Sequence, residues 1–535
     1  MARTKLVVSL FLFLFVNVAN LERQATFGQR PSSGPQASPT PSPTLSPSPG
    51  LSSSASPAAS PRPSPSPEEP PVVTKHQIRI DGKTLSYTAT AGMMPIKNRD
   101  GETEARMFFM AYTLDGPSNR TARPLTFAFN GGPGSASVWL HLGAIGPKRV
   151  KMNPDGTMPA PPYELVENQA TWLDKSDLVF IDPIGTGYSR AVKPELAQKF
   201  FGLNGDIESV GEFVRMYLTR FERWTSPLFL AGESYGTTRA SALSGYLIDR
   251  GIAFNGIVLI STIMNFETTN FAPGNDLPYM LFLPSYTATA WYHKKLAPEL
   301  QAQPVRQIVS EAEKWAGTEY RAALDRGDLL SAAERQEVIT KLSRYTGLDQ
   351  RFIDNANLRV SLTLFRKELL RTEKRSIGRL DSRFKGYDSN LATDSPDFDA
   401  SEAAIRPPYT STFNSYIRSE LGYKNDLEYY ILGGGITSPW NWGTNNNYVD
   451  TSVALRTALA KNPYLKIFVA MGYYDMATPY FAVEYTLHHI SLDPVLLKNF
   501  STANYEAGHM MYIDEKSLTR FRADIEKFMQ EAVRK

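Results

Sequence analysis

One short stretch, in which a glycine-bracketed serine lies between an apolar run and a helical pattern, constrains this chain more than any other. Residues 228–231 are typical of a buried strand, and residues 237–250 have the character of a helix. Between them, Gly232 and Gly236 flank Ser234 in the pattern G-x-S-x-G. Small residues at these positions permit a strained turn that presents the serine hydroxyl at the end of the strand. The pattern alone is weak, because loops rich in glycine and serine are common, so the rest of the chain must supply partners.

Further apolar runs indicate that this strand belongs to a sheet. Buried-strand character occurs at residues 125–129, 178–182, 256–261 and 464–471. Stretches with apolar residues at helical spacing separate several of these runs, while shorter alternating segments precede them, as antiparallel strands do. We therefore expect an α/β fold with a mostly parallel central sheet and helices on both faces.

The first 72 residues differ in composition from the rest. Residues 1–20 combine Arg3 and Lys5 with a short apolar run, which predicts a signal peptide and export to the periplasm or the outside. An uncleaved anchor is the alternative, although the run is shorter than the ~20 residues that a span needs. Residues 21–72 hold most of a Pro- and Ser-rich tract and predict a disordered linker.

The folded part is expected to begin at residue 73 and to contain an insertion. Residues 73–264 and 409–535 are predicted to form the two parts of the α/β core. Residues 265–408 contain charged amphipathic patterns at 307–316, 331–345 and 358–375. We interpret them as a helical insertion that forms a lid over the carboxyl edge of the sheet.

Charge and cysteine content exclude several classes of function. The chain has 535 residues, with 57 Lys and Arg against 54 Asp and Glu, and a net charge of +3. This balance gives no case for nucleic-acid binding. The absence of cysteine excludes disulfides, thiolate metal sites and a thiol nucleophile. We expect no metal or other cofactor and no stable membrane span once the signal is removed, and the oligomeric state is left open.

The chain also offers partners for the serine in a suitable order. Acyl transfer by a serine requires an imidazole to take its proton and a carboxylate to orient that imidazole, in the chain order Ser…Asp…His for this type of fold. Asp475 directly follows a predicted core strand, and His509 lies in a glycine-flanked loop. Asp493 is the rival acid, but it precedes Pro494, as turn aspartates do. We therefore predict Ser234, Asp475 and His509 as the catalytic residues.

The other five of the six histidines fit this role less well. His76, His141 and His293 precede any plausible acid. His488 and His489 lie within a helix-like run, which favours exposed or core positions for both.

Five motifs in a fixed order resemble those of the serine carboxypeptidase family of α/β-hydrolases. They are Asn130-Gly-Gly-Pro-Gly134, Phe180-Ile-Asp-Pro-Ile-Gly-Thr-Gly-Tyr188, Gly232-Glu-Ser-Tyr-Gly236, Asp475 and Gly508-His-Met510. The resemblance runs from about residue 125 to the C-terminus. It implies the α/β-hydrolase fold, with Ser234 as nucleophile, His509 as base and Asp475 as its orienter. It also implies an oxyanion hole formed by the backbone N–H groups of Gly132 and Tyr235.

The same resemblance implies a grip on the terminal carboxylate of a substrate through Asn130, the Gly131 N–H and Glu233. A glutamate can bind a carboxylate only when it is protonated, because the ionised form repels it. Relatives carry Glu-Leu-Gly-Pro, with a proton-sharing glutamate, where this chain has Ala144-Ile-Gly-Pro147. Burial or another acid must then raise the pKa of Glu233, and we expect weaker selectivity for acidic pH than the family pattern implies.

Together these features predict an exported serine-type carboxypeptidase that acts through an acyl-enzyme on peptides with a free C-terminal carboxylate. Tyr474, Met510 and Trp139 are expected to line an apolar pocket that favours bulky apolar side chains beside the scissile bond. One alternative is an esterase or acyltransferase that uses the same triad. A second is a non-catalytic cell-envelope binding protein displayed on the linker.

Overall fold

The computed structural model describes residues 68–116 and 120–534, and its central feature is a large sheet. The predicted signal peptide and nearly all of the predicted linker lie outside the described residues. The strands along the sheet are β1 (Val72–Ile80), β2 (Lys83–Lys97), β3 (Thr103–Leu114), β4 (Leu125–Phe129), β5 (Asp177–Ile181), β6 (Leu228–Ser234), β7 (Gly256–Thr262), β8 (Lys466–Gly472) and β9 (Phe500–Tyr505). A short tenth strand, Arg190–Ala191, pairs with β3.

The strands lie in the order β1-β2-β3-β5-β4-β6-β7-β8-β9. The pairs from β1 to β5 are antiparallel, and every pair from β5 to β9 is parallel. The predicted mostly parallel sheet is therefore confirmed. Strand β9 was not predicted, because it lies at the edge of the sheet and four of its six residues are only partly covered or exposed, which leaves no continuous apolar run.

The helices of eight or more residues lie between strands or, in one case, after the last strand. They are α1 (Leu203–Arg220), α2 (Tyr235–Ile248), α3 (Leu277–Tyr292), α4 (Val305–Trp315), α5 (Ala332–Thr346), α6 (Ala400–Ser419), α7 (Ser452–Lys461), α8 (Tyr480–His488) and α9 (Glu515–Val533). Shorter helical segments include Val138–Leu140, His141–Ile145, Pro194–Ala197, Pro298–Gln301, Ala316–Tyr320, Arg321–Arg326, Gln350–Asn355, Leu362–Glu368, Pro494–Leu497 and Met511–Ile513. Within the described ranges, no helix is both long enough and apolar enough to cross a membrane.

Helices cover both faces of the sheet, as predicted. Successive side chains of the central strands enter opposite apolar cores: in β4, Ala128 faces one core while Phe127 and Phe129 face the other. The first core also contains apolar residues of α6 and α9, and the second contains those of α1, α2, α7 and α8. A third core, built around α3, α4 and α5, lies in the segment between β7 and β8. This separate core is consistent with the predicted helical insertion.

Two details of that segment differ from the sequence-based expectation. The helix predicted over 358–375 is confined to Leu362–Glu368, because Leu358 has a positive φ of 64° and Ser361 caps a new helix by accepting from the Leu364 N–H. The predicted boundary at 408 falls inside α6, which continues through Pro407 and Pro408. Its buried face packs into the first core, and this packing outweighs the loss of two N–H donors.

A buried ion cluster lies where the carboxyl end of β3 meets the amino end of β5. The carboxylate of Asp177, in β5, accepts from Arg123 Nε at 2.7 Å, Arg223 Nη1 at 2.6 Å and the Leu114 N–H at 3.0 Å. The side chains of Asp177 and Arg223 are 2% and 5% exposed. The cluster therefore ties β3, β5 and the segment after α1 together.

Replacing Asp177 by Ala is expected to lower the free energy of unfolding by about 3–5 kcal/mol, because two guanidinium groups then lose their buried counter-ion. Urea denaturation measures this loss. The control is Asp249→Ala, which removes an ion pair with Lys461 whose two side chains are half exposed, and a loss below about 1 kcal/mol is expected there. Equal losses in the two variants would contradict the structural role of the cluster.

Candidate active site

Ser234 occupies a strained turn between β6 and α2. Its φ of 60° and ψ of −131° are unusual for a residue with a side chain. A Cβ at Gly232 would lie 2.3 Å from the carbonyl oxygen of Gly236, and one at Gly236 would lie 2.8 Å from that of Phe129. The backbone therefore requires glycine at both positions, which gives the G-x-S-x-G pattern a steric explanation.

The glycine-rich loop after β4 lies directly on this turn. A Cβ at Gly131 would lie 2.4 Å from the backbone nitrogen of Tyr235 and 2.6 Å from that of Gly236. Gly132 follows with a φ of 101°. Gly132 and Tyr235 are thus on two segments in contact, and their joint role as an oxyanion hole remains a prediction.

A buried cluster beneath the turn holds the loop in this position. Arg239, in α2, donates from Nη1 to the Asn130 carbonyl at 2.7 Å and from Nε to Asp206 Oδ2 at 2.8 Å. The hydroxyl of Tyr235 donates to the same Asp206 oxygen at 3.1 Å. Burial raises the pKa of Asp206, whereas the guanidinium opposes that effect. No sequence motif had indicated this cluster.

Asp475 and His509 form a buried hydrogen-bonded pair. His509 Nδ1 lies 2.7 Å from Asp475 Oδ2, and that oxygen also accepts from the Thr478 hydroxyl at 2.7 Å. Asp475 Oδ1 accepts from the N–H groups of Ala477 and Thr478 at 2.8 and 2.9 Å. Burial disfavours the imidazolium, but the Asp475 carboxylate more than offsets this and raises the pKa of His509.

The histidine loop is anchored next to the strand that carries the serine. The hydroxyl of Ser261, in β7, donates to the His509 carbonyl at 2.6 Å. The next residue, Thr262, pairs with Ser234 in the sheet. The structure therefore brings Asp475 and His509 together and anchors them beside β6. A hydrogen bond between His509 and Ser234 stays a prediction.

Residues 379–383, which we call the strap, contact both loops of the pair. Leu380 accepts at its carbonyl from the His509 N–H at 2.6 Å, and Asp381 Oδ2 accepts from the Gly508 N–H at 3.1 Å. The carbonyl of Arg379 accepts from the Met476 N–H at 3.0 Å. The strap thus binds the aspartate and histidine loops at the same time.

Glu233 is buried between two hydrogen-bond donors. Its Oε1 accepts from Asn130 Nδ2 at 3.0 Å, and its Oε2 accepts from the Tyr512 hydroxyl at 2.6 Å. The residue is 3% exposed. Burial raises its pKa to about 7, with a further contribution from the charge of Asp475, while His509, Tyr512 and Asn130 act in the opposite direction.

Comparison with known proteins assigns the chain to a family. The family model described as serine carboxypeptidase matches residues 81–521. The chain belongs to the serine carboxypeptidase family.

Individual relatives match this chain over shorter stretches than the family model does. The pheromone-processing carboxypeptidase KEX1 of Saccharomyces cerevisiae is 34% identical over 156 residues, which cover 27% of this chain and 20% of the relative. Serine carboxypeptidase-like 16 of Arabidopsis thaliana is 31% identical over 137 residues, covering 25% and 30%. The matched part thus spans less than a third of either relative.

A solved structure extends the likeness of fold over most of the chain. The crystal structure of Kex1(delta)p, a prohormone-processing carboxypeptidase from Saccharomyces cerevisiae, has a TM-score of 0.50 at 18% identity. It covers 83% of this chain and 91% of that one. The predicted α/β-hydrolase fold is confirmed.

The residues predicted to line an apolar pocket in this family member do not form one group. Met510 and Trp139 belong to the first core, and the Trp139 indole packs 5.0 Å from the ring of Tyr409. Tyr474 belongs to the second core and packs against Tyr292 at 5.4 Å. All three predicted residues are buried, and their role in side-chain selection stays a prediction.

The rival residues have other roles. Asp493 accepts from the Val495 N–H at 2.8 Å and so caps a short helix. His488 and His489 are exposed at the end of α8. His141 is a core residue that contacts the Tyr112 hydroxyl at 2.7 Å. Among the described residues, no group of three or more His, Asp or Glu could hold a metal ion.

Gly508 offers a test of the strap. A Cβ there would lie 2.5 Å from both Cβ and Cγ of Asp381, so Gly508→Ala is expected to displace the histidine loop or the strap. We expect labelling of Ser234 by a fluorophosphonate to slow by about 10- to 100-fold, because a shift of about 1 Å in the base is sufficient for such a loss.

The control is Gly317→Ala, where an added Cβ would meet no atom within 4 Å. Labelling should be unchanged there, and thermal unfolding of both variants separates a local displacement from loss of the fold. If Gly508→Ala is labelled at the wild-type rate, the strap does not position the histidine.

Proposed function

We propose that this protein is a serine carboxypeptidase that hydrolyses the C-terminal peptide bond of peptides. The observation that carries the proposal is the buried carboxyl group of Glu233, adjacent in sequence to Ser234 and hydrogen-bonded to Asn130. A protonated carboxyl beside a nucleophile suits the binding of a free carboxylate, which an ester substrate need not have. Membership of the family supports the same conclusion.

In the proposed first step, His509 Nε2 takes the proton of the Ser234 hydroxyl while the serine oxygen attacks the carbonyl carbon of the last peptide bond. The tetrahedral intermediate collapses as its C–N bond breaks, and the imidazolium gives the proton to the departing amine. The products are an acyl-Ser234 ester and the free C-terminal amino acid. Asp475 keeps Nδ1 protonated and stabilises the imidazolium, a role supported by their 2.7 Å contact.

In the second step, His509 takes a proton from water as the water attacks the ester carbonyl. The serine oxygen then leaves and recovers its proton from the imidazolium, which releases the shortened peptide. Gly132 and Tyr235 are proposed to donate their N–H groups to the oxyanion in both steps. Removal of one such donor in other enzymes costs about 3 kcal/mol of transition-state stabilisation.

The proposed grip on the substrate uses Glu233 in its neutral form. Its proton and the amide of Asn130 would contact the terminal carboxylate, together with the Gly131 N–H. A hydrogen bond to a charged group is stronger than one between neutral groups, so the grip selects for a free chain end.

Export remains part of this proposal and rests on composition alone, because residues 1–20 lie outside the described residues. The helical segment between β7 and β8 is likewise proposed to act as a lid.

The direct test compares a blocked dipeptide that has a free C-terminal carboxylate with the same dipeptide amidated. We expect kcat/KM to fall by at least 100-fold on amidation, because the group that Asn130 and Glu233 hold is lost. Ser234→Ala is the control for background hydrolysis. Equal turnover of acid and amide would favour an esterase or acyltransferase, and absence of both turnover and fluorophosphonate labelling would favour a binding protein.

The pH dependence of kcat/KM provides a separate prediction for the free-acid substrate. Neutral Glu233 binds the carboxylate, so activity should fall as the pH rises through the pKa of Glu233, about 7. Neutral His509 is the base, so activity should also fall as the pH drops below the raised pKa of His509. In Glu233→Gln, the alkaline limb should disappear. The acid limb should move to lower pH, since the Glu233 charge helps to raise the pKa of His509.

The control is Glu484→Gln, which changes another largely buried glutamate whose pKa burial raises. Both limbs should remain in that variant. An alkaline limb that persists in Glu233→Gln would show that a different group controls carboxylate binding.

A further inference from the structure

The partners of Glu233 differ from those that the family pattern implies. Within residues 68–116 and 120–534, no second acid bonds to this carboxyl group; its oxygens accept from the amide of Asn130 and from the hydroxyl of Tyr512. At 2.6 Å, the bond from Tyr512 is the shorter of the two. Tyr512 is fully buried and lies in the short helical turn Met511–Ile513. The same short segment of chain therefore carries His509 and, three residues later, the partner of Glu233.

The space for the Tyr512 ring depends on a glycine. A Cβ at Gly143 would lie 2.5 Å from one ring atom of Tyr512 and 2.6 Å from the Tyr409 hydroxyl. Gly143 directly precedes Ala144, the position at which relatives carry the proton-sharing glutamate. This chain thus has small residues at 143 and 144. The phenol of Tyr512 lies beside Glu233, where the family pattern has a carboxyl group.

We propose that Tyr512 replaces the second glutamate of the family as the partner of Glu233, and that its hydroxyl sets the upper pH limit for binding of the substrate carboxylate. This inference rests on the proposed carboxypeptidase function. Tyr512 is a positioning residue in this scheme: it acts on Glu233, and it does not contact the substrate.

A phenol and a carboxyl partner act on Glu233 in opposite directions. A second acid that shares one proton with Glu233 favours the neutral form, because two adjacent carboxylates repel each other. A phenol that donates a hydrogen bond favours the ionised form, which accepts the bond more strongly. Burial holds the pKa of Tyr512 itself well above its usual value, so the phenol stays a donor across the working range. Tyr512 therefore limits how far burial can raise the pKa of Glu233.

Other charged or titratable groups also face Glu233. His509 lowers the pKa of Glu233 and Asp475 raises it. Tyr409 is near enough for the charge of Glu233 to raise the pKa of its phenol, although burial is the larger cause. The Tyr512→Phe substitution leaves all three of these side chains in place.

The test is the kcat/KM profile against pH for Tyr512→Phe with the free-acid dipeptide. The alkaline limb is expected to move upward by about one pH unit, since a hydrogen bond that favours ionised Glu233 has been removed. An ester of a blocked amino acid has no carboxylate for Glu233 to hold, so its profile should show no alkaline limb either in the wild type or in Tyr512→Phe.

Tyr409→Phe is the matched control, because it removes another buried phenol hydroxyl from the same region without removing a bond to Glu233. Its alkaline limb should coincide with that of the wild type. Gly143→Ala is a second variant that keeps Tyr512 but pushes its ring, and its limb should move in the same direction as that of Tyr512→Phe. If Tyr512→Phe does not fold, Gly143→Ala provides the test in its place.

Binding of a blocked amino acid with a free carboxylate to Ser234→Ala, measured by calorimetry across pH, gives the same information without turnover. An alkaline limit that stays in place or moves downward in both Tyr512→Phe and Gly143→Ala overturns the role of Tyr512. If the free acid is still preferred over the amide in that case, the proposed function stands. Loss of the preference in the wild type overturns the proposed function itself, and with it this inference.

Discussion

The close approach of two backbone segments, the loop after β4 and the turn at Ser234, is the constraint on which the site depends. Gly131 leaves no room for a Cβ against the nitrogen of Tyr235, and Gly232 leaves none against the carbonyl of Gly236. The positive φ of Ser234 costs on the order of 1–3 kcal/mol. Pairing of β6 with β4 and β7 on either side holds the turn in this conformation, and the ion pair of Arg239 with Asp206 fixes the loop from below.

The position of the Asp475–His509 pair depends on a different part of the chain. Asp475 follows β8 and His509 follows β9, so neighbouring parallel strands bring their loops to the same edge of the sheet. The strap, about 90 residues before Asp475 in the sequence, then bonds to both loops through backbone groups and the carboxylate of Asp381. Because Arg383 pairs with Asp381 at 2.7 Å and also approaches Asp514 at 3.5 Å, the strap is itself tied to the segment that leads into α9. A turn in the segment between β7 and β8, outside the large sheet, thus contributes directly to the position of His509.

The sequence predicted those features that depend on local pattern or on an ordered set of motifs. The strands β4 to β8 have apolar runs long enough to be recognised, and the order of Ser234, Asp475 and His509 identifies the pair that the structure joins. Strand β9 was missed because an edge strand needs no continuous apolar run. Tyr512 and the strap were missed for another reason: the contact of Asp381 with Gly508 joins residues 127 positions apart and that of Tyr512 with Glu233 joins residues 279 positions apart, and no spacing rule encodes them.

Under the proposed function, the electrostatics of the site would favour a free chain end for a reason that involves the substrate itself. Burial raises the pKa of Glu233 to about 7, and the Asp475 carboxylate raises the pKa of His509 above its usual value. Two protonation states of the pair therefore compete: ionised Glu233 beside an imidazolium, and both groups neutral. Only the neutral pair has both a proton for the substrate carboxylate and a free base for the serine. A carboxylate bound against Glu233 adds a like charge at hydrogen-bond distance, which raises the pKa of Glu233 more than that of the more distant imidazole. The bound substrate therefore shifts the proton toward Glu233 and leaves His509 neutral, which is the state that the first chemical step requires.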